Sequence, residues 1–389
     1  MATPRPHLGH QTLARDAGRR SSLSVSSLFA ATVACLAMLA CGNDAQQKDF
    51  VAPTRRANVV STQTAKSNIL YGLYSDVSWY NDATYRSQSI ATAKALHTQV
   101  VRVDLLWEWI EYKRNHRTWT VIDDVVNQLT AAGIRPLLVV AGSPPWAAGV
   151  SEAKDENFYL YVPTDSVKFR TWVSQYTDFI TAVAQRYKGK VTMWEIGNEP
   201  NDADFWKPAP NVAQYATWYI ALRSAIKGVD PTSLVALGGL NGLGYDMDPP
   251  GMRGTAFLTA LYALHVYPDI VAIHPYSNVG QSPAIHLNGA DNFDDIAVVH
   301  NLMVANGQGS IPLWVTEWGW SVDKVTPAQQ ADYLGQSLAL LDSAYASYVT
   351  VATYYSEFDP SSIYHYGLYT EQFTPRPAAG VFQTFMSTR

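Results

Sequence analysis

Residues 191–201 read VTMWEIGNEPN, an apolar run from Val191 to Ile196 that breaks on Gly197-Asn198-Glu199-Pro200. A short apolar run bounded by Gly and Pro is the pattern of a β-strand entering a loop. The strand would deliver one carboxylate, Glu199, to its C-terminal end. Pro200 fixes its own φ and restricts Glu199, so the carboxylate's backbone should be held still. The same form recurs in residues 313–321, LWVTEWGWS, where an apolar run ends on Glu317.

Outward from these segments the chain alternates. Candidate strands are 68–73, 99–105, 135–141, 191–196, 234–239, 269–274, 311–316 and 348–354. Longer amphipathic stretches follow them at 83–96, 121–132, 166–187, 211–227, 254–265, 293–306, 327–345 and 378–387. Eight strands alternating with eight helices predict an α/β fold of the (β/α)8 TIM-barrel type over residues 68–389. Helix-to-strand connections are short and carry Gly133, Gly189 and Gly228, as helix caps do. Strand-to-helix connections are long (142–165, 197–210, 240–253, 275–292 and 355–377), and in such barrels these loops build the active face.

Two carboxylates at the ends of different strands can converge across a barrel mouth, which is what glycoside hydrolysis requires. Side-chain alternation puts Arg102 and Asp104 on one face of strand 2. It likewise groups Ala272, His274 and Tyr276 on strand 6, and Leu313, Val315 and Glu317 on strand 7. The charged set is therefore expected to line the upper barrel. Glu195 is expected to pair with Arg102 inside it.

The wording WEIGNEPN, HPY and WVTEWGW resembles the clan A glycoside hydrolases, in particular glycoside hydrolase family 39 and its relatives, over roughly residues 68–389. The resemblance implies a retaining glycoside hydrolase with Glu199 as acid/base and Glu317 as nucleophile. It further implies that Asn198 meets the sugar 2-hydroxyl, that Arg102 supports the nucleophile, and that His274 and Tyr276 line the site. The clan usually ends strand 8 on Trp. Here the text is Val351-Ala352-Thr353-Tyr354-Tyr355-Ser356, so Tyr355 is expected to floor the sugar subsite.

Twelve Trp and 23 Tyr suit sugar-stacking surfaces. Trp146 and Trp206, on long strand-to-helix loops, are candidate ring platforms, and Trp318 beside Glu317 is a further candidate contact. Family 39 xylosidases carry an additional β-rich domain, whereas this sequence stops soon after the eighth helix. The expectation is endo-action on a β-linked polysaccharide. Glu357 and Asp359, after strand 8, read as solvated loop acids. A noncatalytic carbohydrate-binding barrel and a transglycosylase using the same residues are the alternatives.

Other chemistries find no motif. There is no GxSxG and no HExxH, and the nine His do not fall at metal-ligand spacings, so no metal is expected. The Gly-rich stretch 238–244 lacks the GxGxxG order, so no dinucleotide or other cofactor is expected.

The N-terminus reads as an export signal. Arg15, Arg19 and Arg20 precede an uncharged stretch, Ser21 to Ala40, whose apolar part from Leu28 is shorter than the ~20 residues that span a bilayer. Residues 38–42, MLACG, resemble a bacterial lipobox with Cys41 as the lipidated residue, so 1–41 is read as an export signal and 42–67 as a tether. A bacterial envelope lipoprotein or a secreted protein is expected, with membrane attachment through Cys41. Both cysteines, Cys35 and Cys41, lie in this segment, which excludes a disulfide framework and a thiol nucleophile downstream. With cleavage before Cys41, the remainder holds 24 basic and 32 acidic residues. Such an acidic chain repels phosphate backbones, so no nucleic-acid partner is expected.

Overall fold

The computed structural model describes residues 67–359 and 365–389. The expected export signal 1–41, with Cys35 and Cys41, and all but the last residue of the expected tether lie outside the described residues. Eight strands follow in chain order: β1 (Leu70–Tyr74), β2 (Val100–Leu106), β3 (Arg135–Ala141), β4 (Met193–Asn198), β5 (Leu234–Gly239), β6 (Val271–Ile273), β7 (Leu313–Val315) and β8 (Val349–Tyr354). Each overlaps the strand expected there. One long helix follows each strand: α1 (Ala83–Ala95), α2 (Thr120–Ala131), α3 (Ser166–Arg186), α4 (Val212–Val229), α5 (Gly254–Ala263), α6 (Asp295–Ala305), α7 (Pro327–Ser343) and α8 (Pro377–Met386).

The helix starts follow from local chemistry. The Asp165 carboxylate accepts the Val167 and Lys168 N–H groups that open α3, and Thr326 with Gln329 forms a reciprocal capping box ahead of α7. Gly133 and Gly189, just past α2 and α3, take φ values of 76° and 80°, the left-handed conformation that ends a helix without a Cβ clash.

All strand pairs are parallel, in the order β5-β4-β3-β2-β1-β8-β7-β6. The two ends of that series meet. Leu237 N–H donates to Ile270 O at 3.1 Å and Leu240 N–H to Ala272 O at 3.1 Å, so the barrel is nearly closed and leaves almost no open sheet edge.

Alternation along the strands sorts the core into two clusters. Val100, Leu137, Val139, Met193, Ala236, Ala272, Trp314 and Val351 pack together. They come from seven different strands, and only the barrel interior brings such positions into contact. Val101, Val103, Leu105, Leu138, Val140, Trp194 and Ile196 belong instead to the large cluster shared with the helices. Strand β7 departs from the expected parity. Leu313 and Val315 face the helix layer, while Trp314 points inward. Ladder pairing stops at Val315, so alternation no longer governs residue 317. Glu317 reaches the barrel mouth by the turn of the chain beyond the strand.

Candidate active site

Glu199 sits one residue past β4 and is 8% exposed; Glu317, two past β7, is also 8% exposed. One oxygen of each lies within 4.8 Å of the other. Their surroundings differ in kind. Glu317 Oε1 accepts from Arg102 Nη1 at 2.6 Å, and its Oε2 accepts from the Tyr276 hydroxyl at 2.7 Å. A cation and a hydroxyl donor thus meet the two Glu317 oxygens. Glu199 faces no cation directly. Its Oε1 lies 2.7 Å from His274 Nδ1, and its Oε2 accepts from Asn241 Nδ2 at 2.9 Å. Burial and then the nearby Glu317 charge push the Glu199 carboxyl well above the usual carboxylate range. The site therefore sets one carboxyl against a guanidinium and keeps the proton on the other.

His274 cannot supply the missing cation. Burial, and next the Arg102 charge, hold its imidazole well below the usual histidine range, so it is neutral. Its Nε2 lies 3.1 Å from Thr316 Oγ1, a hydroxyl that donates to or accepts from that nitrogen as the tautomer requires. The ring is pressed against backbone: a Cβ at Gly239 would lie 2.1 Å from His274 Nε2. Glu199, His274 and Glu317 offer three potential metal-ligand atoms close together. The Arg102 guanidinium already supplies the positive charge at Glu317 Oε1, and Glu199 is engaged with a neutral ring, so the trio is accounted for without a metal.

Arg102, 1% exposed, organises the floor. Its Nε and Nη2 each lie 3.0 Å from a Glu195 oxygen, and Nη2 also donates to Asn198 Oδ1 at 2.8 Å. Glu195 in turn accepts the Gly239 N–H at 2.9 Å. The expected Arg102–Glu195 pair is present, and it sets the guanidinium plane that presents Nη1 to Glu317. Glu199 has a φ of +43°, against the extended backbone expected of a residue before proline. This left-handed conformation is uncommon for a residue with a Cβ. The Glu199 N–H to Gly239 O bond (3.0 Å) and the Asp202 N–H to Glu199 O bond (2.8 Å) hold it there.

A cleft of about 210 Å³ opens over this floor. Arg102, Asn198, Glu199, Tyr276, Glu317 and Tyr355 all line it. Tyr355, singled out at the end of strand 8, stacks on Tyr74 at the end of β1, with centroids 4.9 Å apart; Tyr74 was not among the expected site residues. Three aromatic expectations are corrected. Trp206 is 4% exposed and packs edge-on against Trp172, Tyr215 and Trp218. Its loop folds back onto α3 and α4, so the ring joins the core. Trp318 is fully buried and its indole N–H donates to Ser337 of α7 at 3.1 Å. Beyond the end of β7 the chain turns Glu317 into the cleft and Trp318 into the core against α7. Trp146 is half-buried against Trp107, donates to the Glu111 carbonyl, and does not line the cleft. Two acids expected in solvent are also corrected. Glu357 and Asp359 are 1% and 5% exposed, Asp359 because Arg376 binds it and Glu357 because Ser75 and Ser89 donate to it.

Several site residues carried no signal in the sequence. Asn241 bridges Glu199 and Asp202 with one amide nitrogen. Trp79, Tyr159 and Phe205 add aromatic surface to the cleft, and Asp104 holds the Trp79 indole N–H at 2.8 Å. The Asp104 parity with Arg102 was the one available hint.

The chain is similar to known carbohydrate-active proteins. The family model described as cellulase (glycosyl hydrolase family 5) matches residues 54–354. A beta-xylosidase of Geobacillus stearothermophilus is 27% identical over 308 residues, 69% of this chain and 55% of that protein. The chain thus spans about half the length of this curated relative. Among solved structures, a family 39 glycoside hydrolase from the gut symbiont Bacteroides cellulosilyticus superposes with a TM-score of 0.64 at 19% identity, covering 83% of this chain and 64% of that one. A monomeric beta-xylosidase from Caulobacter crescentus gives a TM-score of 0.60 at 19% identity, covering 82% and 69%. At that identity the structural likeness speaks for the barrel, and the family match speaks for descent: the chain belongs to the cellulase family, glycosyl hydrolase family 5, within clan A.

Proposed function

We propose that this protein hydrolyses β-glycosidic bonds with retention of configuration, by double displacement. One observation carries the reading: two carboxyl oxygens within 4.8 Å of each other, one set beside a guanidinium and the other kept from ionising. Retaining enzymes place their carboxyl groups about 5–5.5 Å apart, whereas inverting ones need ~6.5–9.5 Å to admit a water. In the first step Glu317, held by Arg102 and Tyr276, attacks the anomeric carbon while Glu199 gives its proton to the departing oxygen. The glycosyl ester removes the Glu317 charge, and with it part of what keeps Glu199 protonated. Glu199 then takes a proton from the incoming water, which releases the sugar and restores Glu317. Transglycosylation uses the same steps with a sugar hydroxyl in place of water. A noncatalytic binding barrel would have no use for this difference between the two carboxyls.

The proposal includes endo-action. Trp146 and Trp206 no longer support it, because neither faces the cleft. Its support is now the rings of Trp79, Tyr159 and Phe205, which reach the cleft from the loops after β1, β3 and β4. Early viscosity loss of the polymer supports internal cleavage; release of monosaccharide alone overturns it. Export with lipidation at Cys41 is likewise proposed, and the mass of the native N-terminus tests it.

The assignment is tested by Glu317→Ala and Glu199→Ala. The first should abolish turnover of every glycoside. The second should lose roughly 10²–10⁴-fold on natural glycan, the usual contribution of a general acid, yet retain glycosylation by activated phenyl glycosides. Substantial activity of Glu317→Ala on glycan, or an inverted anomer in early NMR spectra, overturns it.

A further inference from the structure

We infer that Trp109 forms an outer glycan subsite on the rim of the cleft, where it takes a sugar ring beyond those bound over the two glutamates. The inference rests on the proposed glycosidase reading and extends it. All twelve tryptophans fall within the described residues, and Trp109, 41% exposed, is the most exposed of them. It lies on the short helical turn Trp107–Ile110 that follows β2, so the barrel itself fixes its height at the active face.

Trp109 is not an isolated surface ring. It packs edge-to-face on Trp79, with centroids 4.6 Å apart and planes at 85°. Trp79 lines the catalytic cleft, and its indole N–H is held at 2.8 Å by Asp104. Asp104 is fixed further by the Tyr74 hydroxyl at 2.9 Å. A rigid chain of contacts thus runs from β2 through Trp79 to Trp109 and makes one aromatic wall that continues out of the cleft. Leaving a large indole exposed forgoes the stabilisation that burying it would bring. An indole face matches the C–H face of a sugar ring. Continuity with the cleft identifies the occupant as the next residue of a linear glycan.

The test uses Trp109→Ala and Trp109→Phe in the full chain, with dimer-to-hexamer ladders of β-1,4-glucan, β-1,4-xylan and β-1,4-mannan. The ratio of kcat/KM for hexamer to that for dimer should fall roughly tenfold in Trp109→Ala, the size of one lost stacking contact. Trp109→Phe should recover most of it. Tyr267→Ala removes another exposed ring, between α5 and β6 at the far end of the barrel, and should leave the ratio as in wild type. A ratio unchanged in Trp109→Ala, or lowered equally by Tyr267→Ala, overturns the subsite. Binding of the same ladders to Glu317→Gln, followed by tryptophan emission, separates this failure from failure of the glycosidase reading. Length-dependent affinity that needs Trp109 supports the subsite whether or not any ladder is cleaved. Affinity independent of length, or no binding by any ladder, overturns it.

Discussion

Replacing Arg102 by Gln should destabilise the barrel by about 3–5 kcal/mol, the usual cost of breaking a buried ion pair from one side. The structure explains why the cost belongs at the upper end for a single side chain. Arg102 spends three nitrogens on four contacts of 2.6–3.0 Å, to Glu195, Asn198 and Glu317. Glu195 has no exposed surface. Without the guanidinium it keeps one good donor, the Gly239 N–H, and a 3.4 Å contact with Thr316. A buried carboxylate with so little compensation is the costly remnant. Unfolding in urea measures the loss. The double variant Arg102→Gln/Glu195→Gln should regain part of it, because the fully buried Glu195 charge is then gone and only Glu317 has lost its cation, with a coupling energy of about 2–3 kcal/mol. A single-variant loss below about 1 kcal/mol, or strict additivity, would refute the account of Arg102 as the support of the floor.

Two further outcomes follow from neighbouring contacts. Gly239→Ala should cut kcat/KM by on the order of 10²-fold, since its Cβ would sit 2.1 Å from His274 Nε2 and displace the ring that contacts Glu199; Gly380→Ala, with nothing near its Cβ, should match wild type, and equal kinetics for the two variants would exclude this packing role. Burial pushes the Glu357 carboxyl up to about 8, so the folded chain holds a proton that the unfolded chain releases above about 4.3. Wild-type stability from this group is full below the unfolded value and declines as pH rises toward 8; Glu357→Gln, which does not titrate, should gain on wild type in melting temperature between pH 5 and pH 8, and a constant difference would remove the assignment.

The barrel was legible because its signals are local. A six- or seven-residue apolar run, a Gly after a helix and a Pro after Glu199 each act within a few residues, and the recurring runs count out eight strands. The carboxylate at the end of β4 was legible for the same reason. Side-chain facing was legible only while ladder pairing lasted: Arg102 and Asp104 lie inside β2, whereas Glu317 lies two residues beyond β7 and escapes the parity that should have turned it toward the helices.

Loop side chains were not legible at all. Trp206 and Trp109 both follow barrel strands in aromatic, turn-rich text, yet one is 4% exposed and the other 41%. Nothing within a few residues of either distinguishes them, because burial of the Trp206 ring is decided by Trp172 and Trp218 on two other elements. The same holds for Glu357, buried by Ser75 and Ser89 nearly 300 residues away in sequence, and for Asn241, which meets Glu199 across 42 positions. The sequence by itself determined the strand count, the parallel barrel and the carboxylate at the end of β4. Only the tertiary structure decided which rings face the cleft, which acid holds a proton and what supports each, because burial and electrostatic environment depend on distances between elements that no local pattern encodes.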